Sequence, residues 1–222
     1  WGMKHMSFRD FDLDGDLDMM GLRGDLMRKH TNDGNGVFTV GTIIEGTVNC
    51  ALALCEDLDS DGAVDVVGIY GGDLTVRALT KFNDHMGNFG ASTRIGWRQD
   101  TDVKIHVGDL NGDTHMDVLA LHVDNQKLSW YPGLGNGAFG LEKIITVESA
   151  TGGYNYYMYQ EVSIADMDGD DDQDIVLAVY NGIENVVILV NDGTGNFTAG
   201  TELLLDVTNP WSVTTVDIDG DG

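Results

Sequence analysis

Asp10, Asp12, Asp14, Asp16 and Asp18 occupy every second position of DFDLDGDLD. Like charges packed so closely repel one another, so the segment is either a solvated acidic turn or the wrapping of a cation. The arrangement recurs. DLDSDGAVD supplies Asp57, Asp59, Asp61 and Asp65, and DLNGDTHMD supplies Asp109, Asn111, Asp113 and Asp117. DMDGDDDQD supplies Asp166, Asp168, Asp170 and Asp174, and a fifth copy, DIDGDG, contributes Asp217, Asp219 and Asp221 before the sequence stops. Counted from the first aspartate, positions 1, 3, 5 and 9 are Asp or Asn in all four complete copies. Solvated turns need no such agreement.

Side chains that alternate along a tight loop converge on one point, and here they offer only hard oxygen donors. Ca²⁺, which accepts many oxygens in flexible geometry, is the expected ion. Zinc would call for His or Cys, and Mg²⁺ keeps several waters rather than entering an all-protein cage. Position 7 (Asp16, Ala63, His115, Asp172) varies freely, as suits a residue that ligates through its backbone carbonyl. About four complete Ca²⁺ sites and one truncated site are therefore expected, with a structural role: more than half of the 37 acidic residues lie in these loops, where a bound ion relieves repulsion. The loop is not an EF-hand. Position 12 is Gly21, Gly68, Ala120 or Leu177, where an EF-hand has a bidentate glutamate.

The first aspartates stand at 10, 57, 109, 166 and 217, which sets a repeat of about fifty residues. A second landmark keeps step with them: NDGNGVFT ending at Thr39, MGNFG around Phe89, GLGNGAFG around Phe139 and NDGTGNFT around Phe197. Within each copy the acidic run leads into an apolar stretch (MMGL, VVGIY, VLALHV, IVLAVY) and then a turn. A second β-rich run such as KLSWY follows, then the Gly/Asn turn and a strand opening on the phenylalanine. A further strand, such as VKIHV, enters the next acidic loop. No helical period competes. Four short strands per repeat is the pattern of a propeller blade, so the fold class is an all-β propeller. Its repeats fall at about 2–45, 46–97, 98–148, 149–207 and, in part, 208–222.

The chain has 222 residues, 42% hydrophobic, with 30 glycines and two prolines, which is enough apolar content for a core. A net charge of -25 argues against nucleic acid and anionic membrane as partners. No run approaches the roughly 18 apolar residues of a membrane span, and the N-terminus shows no apolar signal-peptide region. Cys50 and Cys55, an odd number of residues apart, are expected on opposite faces of one strand, as two small buried residues.

The pairing of D-x-[DN]-x-D-x-x-x-D loops with G-x-F turns resembles the FG-GAP/VCBS repeat family, found in integrin α-subunit propellers and many secreted microbial proteins. The resemblance covers essentially the whole chain. It implies a propeller of about seven blades, at an extracellular or cell-surface location, in adhesion or carbohydrate recognition. The partner implied is an extracellular glycan or a matrix or cell-surface protein. With four full repeats and part of a fifth, the chain is expected to be a fragment that meets the missing blades of its parent.

In an up-and-down blade the acidic loops (strands 1 to 2) and the Gly/Asn-Phe turns (3 to 4) share one face. The crossings between blades lie on the other. Trp97, Arg98, Tyr154, Tyr156 and Trp211 are assigned to those crossings and are the expected ligand-binding residues, with packing between blades as the alternative. No catalytic constellation is visible. Gly135–Gly140 spells G-x-G-x-x-G, but a strand follows it where a phosphate site needs a helix. A non-catalytic module is expected. The alternative is the propeller portion of a secreted carbohydrate-active enzyme, polysaccharide lyase-like or sugar dehydratase-like.

Overall fold

A computed structural model describes residues 3–24, 26–47, 49–72, 75–98, 102–123, 126–146, 158–180, 186–203 and 210–216. Every regular element among them is a strand. Blade one consists of β1 (Met3–Arg9), β2 (Asp18–Arg23), β3 (Leu26–His30) and β4 (Thr42–Ile43). Blade two consists of β5 (Cys50–Glu56), β6 (Asp65–Gly72), β7 (Thr75–Lys81) and β8 (Thr93–Arg98). Blade three holds β9 (Val103–Gly108), β10 (Asp117–His122), β11 (Lys127–Tyr131) and β12 (Lys143–Ile145). Blade four holds β13 (Met158–Ala165), β14 (Asp174–Tyr180), β15 (Val186–Asn191) and β16 (Phe197–Leu203). Each blade is a four-stranded antiparallel sheet in simple up-and-down order, so the chain is all-β and built of propeller blades.

The aspartate at position 9 opens the second strand of every blade. It pairs with the residue just before position 1: Arg9 with Asp18, Glu56 with Asp65, Gly108 with Asp117 and Ala165 with Asp174. The acidic run is therefore the hairpin loop between first and second strands. After that aspartate the second strands are mainly apolar, and all six residues of β10 are buried, as befits a strand covered on both faces.

The chain divides into two compact units, Trp1–Thr101 with Gly133–Gly140, and Asp102–Pro132 with Leu141–Gly222. The first has its core around Phe11, Leu22, Met27, Cys55 and Val66. The second is built on Leu110, Leu119, Trp130, Ile175 and Leu189.

Three expectations need correction. Phe38, Phe89 and Phe139 do not open the fourth strand; each forms only an isolated bridge, to Asn32, Asn83 and Gly133, and strand pairing resumes several residues later. In the first two blades a carbonyl in the gap is turned to a side chain, Gly41 O to Arg28 Nη1 and Gly90 O to Lys81 Nζ, both at 3.0 Å. Only Phe197 starts its strand. Cys50 and Cys55 lie on one buried face, because a register shift between Cys50 and Leu52 reverses the alternation; both remain free thiols. Trp97 and Arg98 are the last two residues of β8, paired with Arg77 and Val76, and so precede the crossing.

Candidate functional site

The acidic loops are shaped by their own backbone. The position-1 carboxylate accepts N–H bonds from positions 5 and 6: Asp14 and Gly15 to Asp10 at 3.2 and 2.9 Å, and Asp61 and Gly62 to Asp57 at 3.2 and 2.9 Å. Loop three repeats this with Asp113 and Thr114 bonded to Asp109 at 3.2 and 2.7 Å, and in loop four Gly169 and Asp171 bond to Asp166. Position 5 in turn accepts the N–H of position 7, at 2.8–3.0 Å in every loop. These bonds curl the chain so tightly that positions 4 and 6 take left-handed backbone angles. Leu13, Ser60, Thr114 and Asp171 do so without being glycine, which costs on the order of 1 kcal/mol each.

Three carboxylates then meet. In loop one, oxygens of Asp10, Asp12 and Asp14 lie within 4.8 Å of one another; Asp57, Asp59 and Asp61 do the same in loop two, and Asp166, Asp168 and Asp174 in loop four. Asp12 Oδ1 and Asp59 Oδ1 are buried with no hydrogen-bond partner among the described residues. Burial, reinforced by Asp18 and Asp14, raises the Asp12 carboxyl above the usual range, with Lys29 opposing. Burial with Asp61 and Asp57 does the same to Asp59. Asp168 and Asp172 are also raised, by desolvation and then by neighbouring aspartates, Asp170 foremost. Loop three differs: Asn111 Oδ1 accepts the Asp113 N–H at 2.9 Å. Such oxygen-only clusters have the donor set of a site for a hard cation.

Position 9 has a second task that spacing alone does not reveal. Asp18, Asp65, Asp117 and Asp174 are fully buried. Asp65 Oδ1 accepts the Asn83 N–H at 2.8 Å and its Oδ2 accepts the Leu58 N–H at 3.0 Å. Asp174 accepts from Asn191 and Met167 in the same way, and Asp18 Oδ1 accepts from Asn32 at 2.8 Å. Burial pushes Asp65 up to about 7 against the pull of those two N–H groups. In blades one, two and four the asparagine that opens the Gly/Asn-Phe turn is thus fastened to the acidic loop, so the two kinds of loop share one face there, as expected. Blade three has Gly133 at that position.

The position-7 side chains of Asp16 and Asp172 press on turn glycines Gly34 and Gly193, where any Cβ would overlap the carboxylate. Two basic groups approach the loops: Lys29 acts on Asp12, and His85 Nε2 lies 3.0 Å from Asp61 Oδ2. Of the aromatic residues, Trp211 is 74% exposed in a segment whose Thr215 Oγ1 bonds Ser163 Oγ at 2.9 Å. Tyr154 and Tyr156 lie outside the described residues, as do Asp217, Asp219 and Asp221.

The family model for the FG-GAP-like repeat matches residues 109–177 and again 166–222, together just over half of the chain. This chain belongs to the FG-GAP-like repeat family. Among solved structures, the FG-GAP chain is similar to an Agrocybe aegerita lectin described by its specific recognition of non-reducing terminal N-acetylglucosamine. The likeness has a TM-score of 0.67 at 21% identity and covers 91% of this chain and 52% of the lectin, so the chain spans about half of that protein. It is also similar to the Photorhabdus luminescens Tc holotoxin pore, with a TM-score of 0.54 at 21% identity over 91% of this chain and 9% of the other. At these identities the likeness speaks to the fold. Curated proteins give no match.

Proposed function

We propose that this FG-GAP chain is a non-catalytic, calcium-stabilised recognition module that works outside the cell or at its surface. The observation that carries the metal assignment is the pair of buried, unpartnered oxygens Asp12 Oδ1 and Asp59 Oδ1, each within a carboxylate triad. A carboxylate so placed is costly unless a cation meets it. Loop one would hold Ca²⁺ with Asp10, Asp12, Asp14 and Asp18, and loop two with Asp57, Asp59, Asp61 and Asp65. Loop three would use Asp109, Asn111, Asp113 and Asp117, and loop four Asp166, Asp168, Asp170 and Asp174. The carbonyls of Asp16, Ala63, His115 and Asp172 would complete the shells. The ion supplies charge neutralisation that fixes the hairpins; it performs no reaction step.

Similarity in fold to a glycan-binding lectin supports a glycan as the recognised class, and adhesion through such a glycan as the role. The exposed Trp211 indole supplies the apolar ring that sugar faces stack on, with Trp97, Arg98, Tyr154 and Tyr156 as further candidates. Isothermal titration of chelator-stripped protein is expected to show about four Ca²⁺ sites with Mg²⁺ much weaker; one site or none would remove the metal assignment. On a glycan array that includes N-acetylglucosamine-terminated chains, Trp211→Ala should lose about thirtyfold in affinity while retaining its Ca²⁺ stoichiometry. Unchanged binding would move recognition away from this residue.

A second reading, part of a polysaccharide lyase-like or sugar dehydratase-like enzyme, has one observation in its favour: a base, His85, set against loop-two Asp61. Turnover of a polysaccharide, lost in His85→Gln, would establish it.

A further inference from the structure

The Gly/Asn-Phe turns of blades two and four are built and seated alike. Asn83 and Asn191 open them, and each sends its Nδ2 to a loop carbonyl of the preceding blade, Phe11 O at 2.7 Å and Leu110 O at 3.0 Å. Their Oδ1 atoms accept the N–H groups of Gly87 and Gly195, four residues on. The aspartate that follows, Asp84 or Asp192, accepts the N–H groups two and four residues further along. Its Oδ2 also accepts a side-chain amide, from Asn88 at 3.0 Å or from Asn196 at 3.1 Å. Asn88 and Asn196 thus hold the same place in their turns, and both are exposed. Blade two has a blade on either side of it in chain order, so this exposure belongs to the turn.

Two residues later the copies diverge. Asn196-Phe197-Thr198 puts a threonine where Asn88-Phe89-Gly90 has no side chain. Copy one has Thr39 but Val37 in the asparagine's place, and copy three has Ala138 and Gly140. Copy four is the one stretch of the 222 residues that completes Asn-x-Ser/Thr. Phe197 packs on the buried cluster around Leu110, so its two neighbours point the opposite way, as alternate residues of an extended chain do. Asn196 and Thr198 are accordingly both exposed. Such a tripeptide on the surface of an exported protein is an acceptor for N-linked oligosaccharide.

We propose that Asn196 is a glycosylation site, loaded from a lipid-linked oligosaccharide diphosphate. Asn196 Nδ2 bonds to the anomeric carbon of the first sugar, and the bond from that carbon to the diphosphate oxygen breaks. The lipid diphosphate leaves with the electron pair, and the amide gives up one proton. One N–H remains, free to keep either present partner, Asp192 Oδ2 or Thr194 Oγ1 at 2.8 Å. Neither partner is stranded by the loss, because Thr194 Oγ1 also bonds Asp192 Oδ1 and both residues are exposed. The assignment rests on the proposed location outside the cell, since donor and chain meet on export.

The full chain is exported from a eukaryotic cell line behind a cleavable leader. Its mass is read before and after an amidase that severs the Asn–sugar bond. One glycan is expected, with Asp at position 196 after cleavage. Thr198→Val keeps the branched side chain and leaves Asn196 and its bonds in place, yet should abolish the glycan; Thr198→Ser should retain it. Gly90→Thr should add a second glycan at Asn88, since that glycine lies outside the left-handed region and a Cβ there meets only Phe82 O, at 3.7 Å. An exported chain without a glycan, a glycan that persists in Thr198→Val, or a Gly90→Thr chain that gains none would overturn the inference. Because the leader imposes export, a missing glycan counts against Asn196 and not against the location, which is read separately by fractionating the source cells.

Discussion

Loops two and three share a backbone and differ in charge. In both, the position-1 aspartate accepts the N–H groups of positions 5 and 6, and position 5 accepts that of position 7. Asp59 in loop two is a carboxyl group with a buried oxygen that nothing among the described residues meets, whereas Asn111 in loop three is an amide whose oxygen is occupied by Asp113 N–H. The loop conformation therefore does not depend on how many charges it carries. The charge gathered in the loop does differ, and position 3 sets that difference; on the proposed reading it also sets the demand for a cation.

Chelation is the widest test of that difference. If free Ca²⁺ stands at about 1 to 10 times Kd, each site contributes roughly 0.4–1.4 kcal/mol. Removing the ion with EDTA should lower the melting temperature by about 5–10 °C, and Ca²⁺ should restore it. An unchanged melting curve would mean that the two loops differ in charge without consequence.

The second effect is a pH dependence that loop two confers when metal-free. Asp65 titrates near 7 in the fold and near 3.9 in an unfolded chain. Its contribution is therefore fully present below about pH 4 and is lost as pH rises through 7, at a slope of at most about 1.4 kcal/mol per pH unit. Metal-free protein should melt lower at pH 8 than at pH 6, and Ca²⁺ should abolish that slope by holding the carboxylate ionised. Melting curves of Asp65→Asn, which lacks the titrating group, should show no such slope; a slope that persists there belongs to other residues.

The smallest expected effect is the sharpest. Asn111→Asp converts loop three to the charge of loop two and removes the neutral amide. In EDTA it should destabilise by about 0.5–1 kcal/mol through repulsion, and in Ca²⁺ it should be neutral or stabilising. The same sign in both buffers, read by paired melts, would show that position 3 does not set the demand for a cation.

The hairpins and their carboxylates were legible because strand alternation and oxygen donors both follow spacing, as Asp57, Asp59 and Asp61 illustrate. The features missed depend on where alternation fails or where one residue serves two partners. Nothing in CALALC announces the shift after Cys50 that puts both cysteines on one face. The left-handed angles of Leu13 and Ser60 arise from bonds to Asp10 and Asp57 rather than from glycine, so composition gives no sign of them. Asp65 and Asn83 are 18 residues apart, a separation no local pattern connects, although Asn at the head of three of the four turns was a usable signal.

The linkage from Asp65 to Asn83 to the Phe11 carbonyl also bears on how the molecule opens. In tandem repeats, stability is approximately a sum of unit and nearest-neighbour terms. Here the nearest-neighbour term is fastened to the unit term through one asparagine. Fraying of the second acidic loop frees Asn83, and with it the grip on the first loop, so transient opening in this unit proceeds by the pair of blades. Amides of β2 and β6 would then exchange with solvent at a common rate set by the pair, since neither blade reaches its own open state alone.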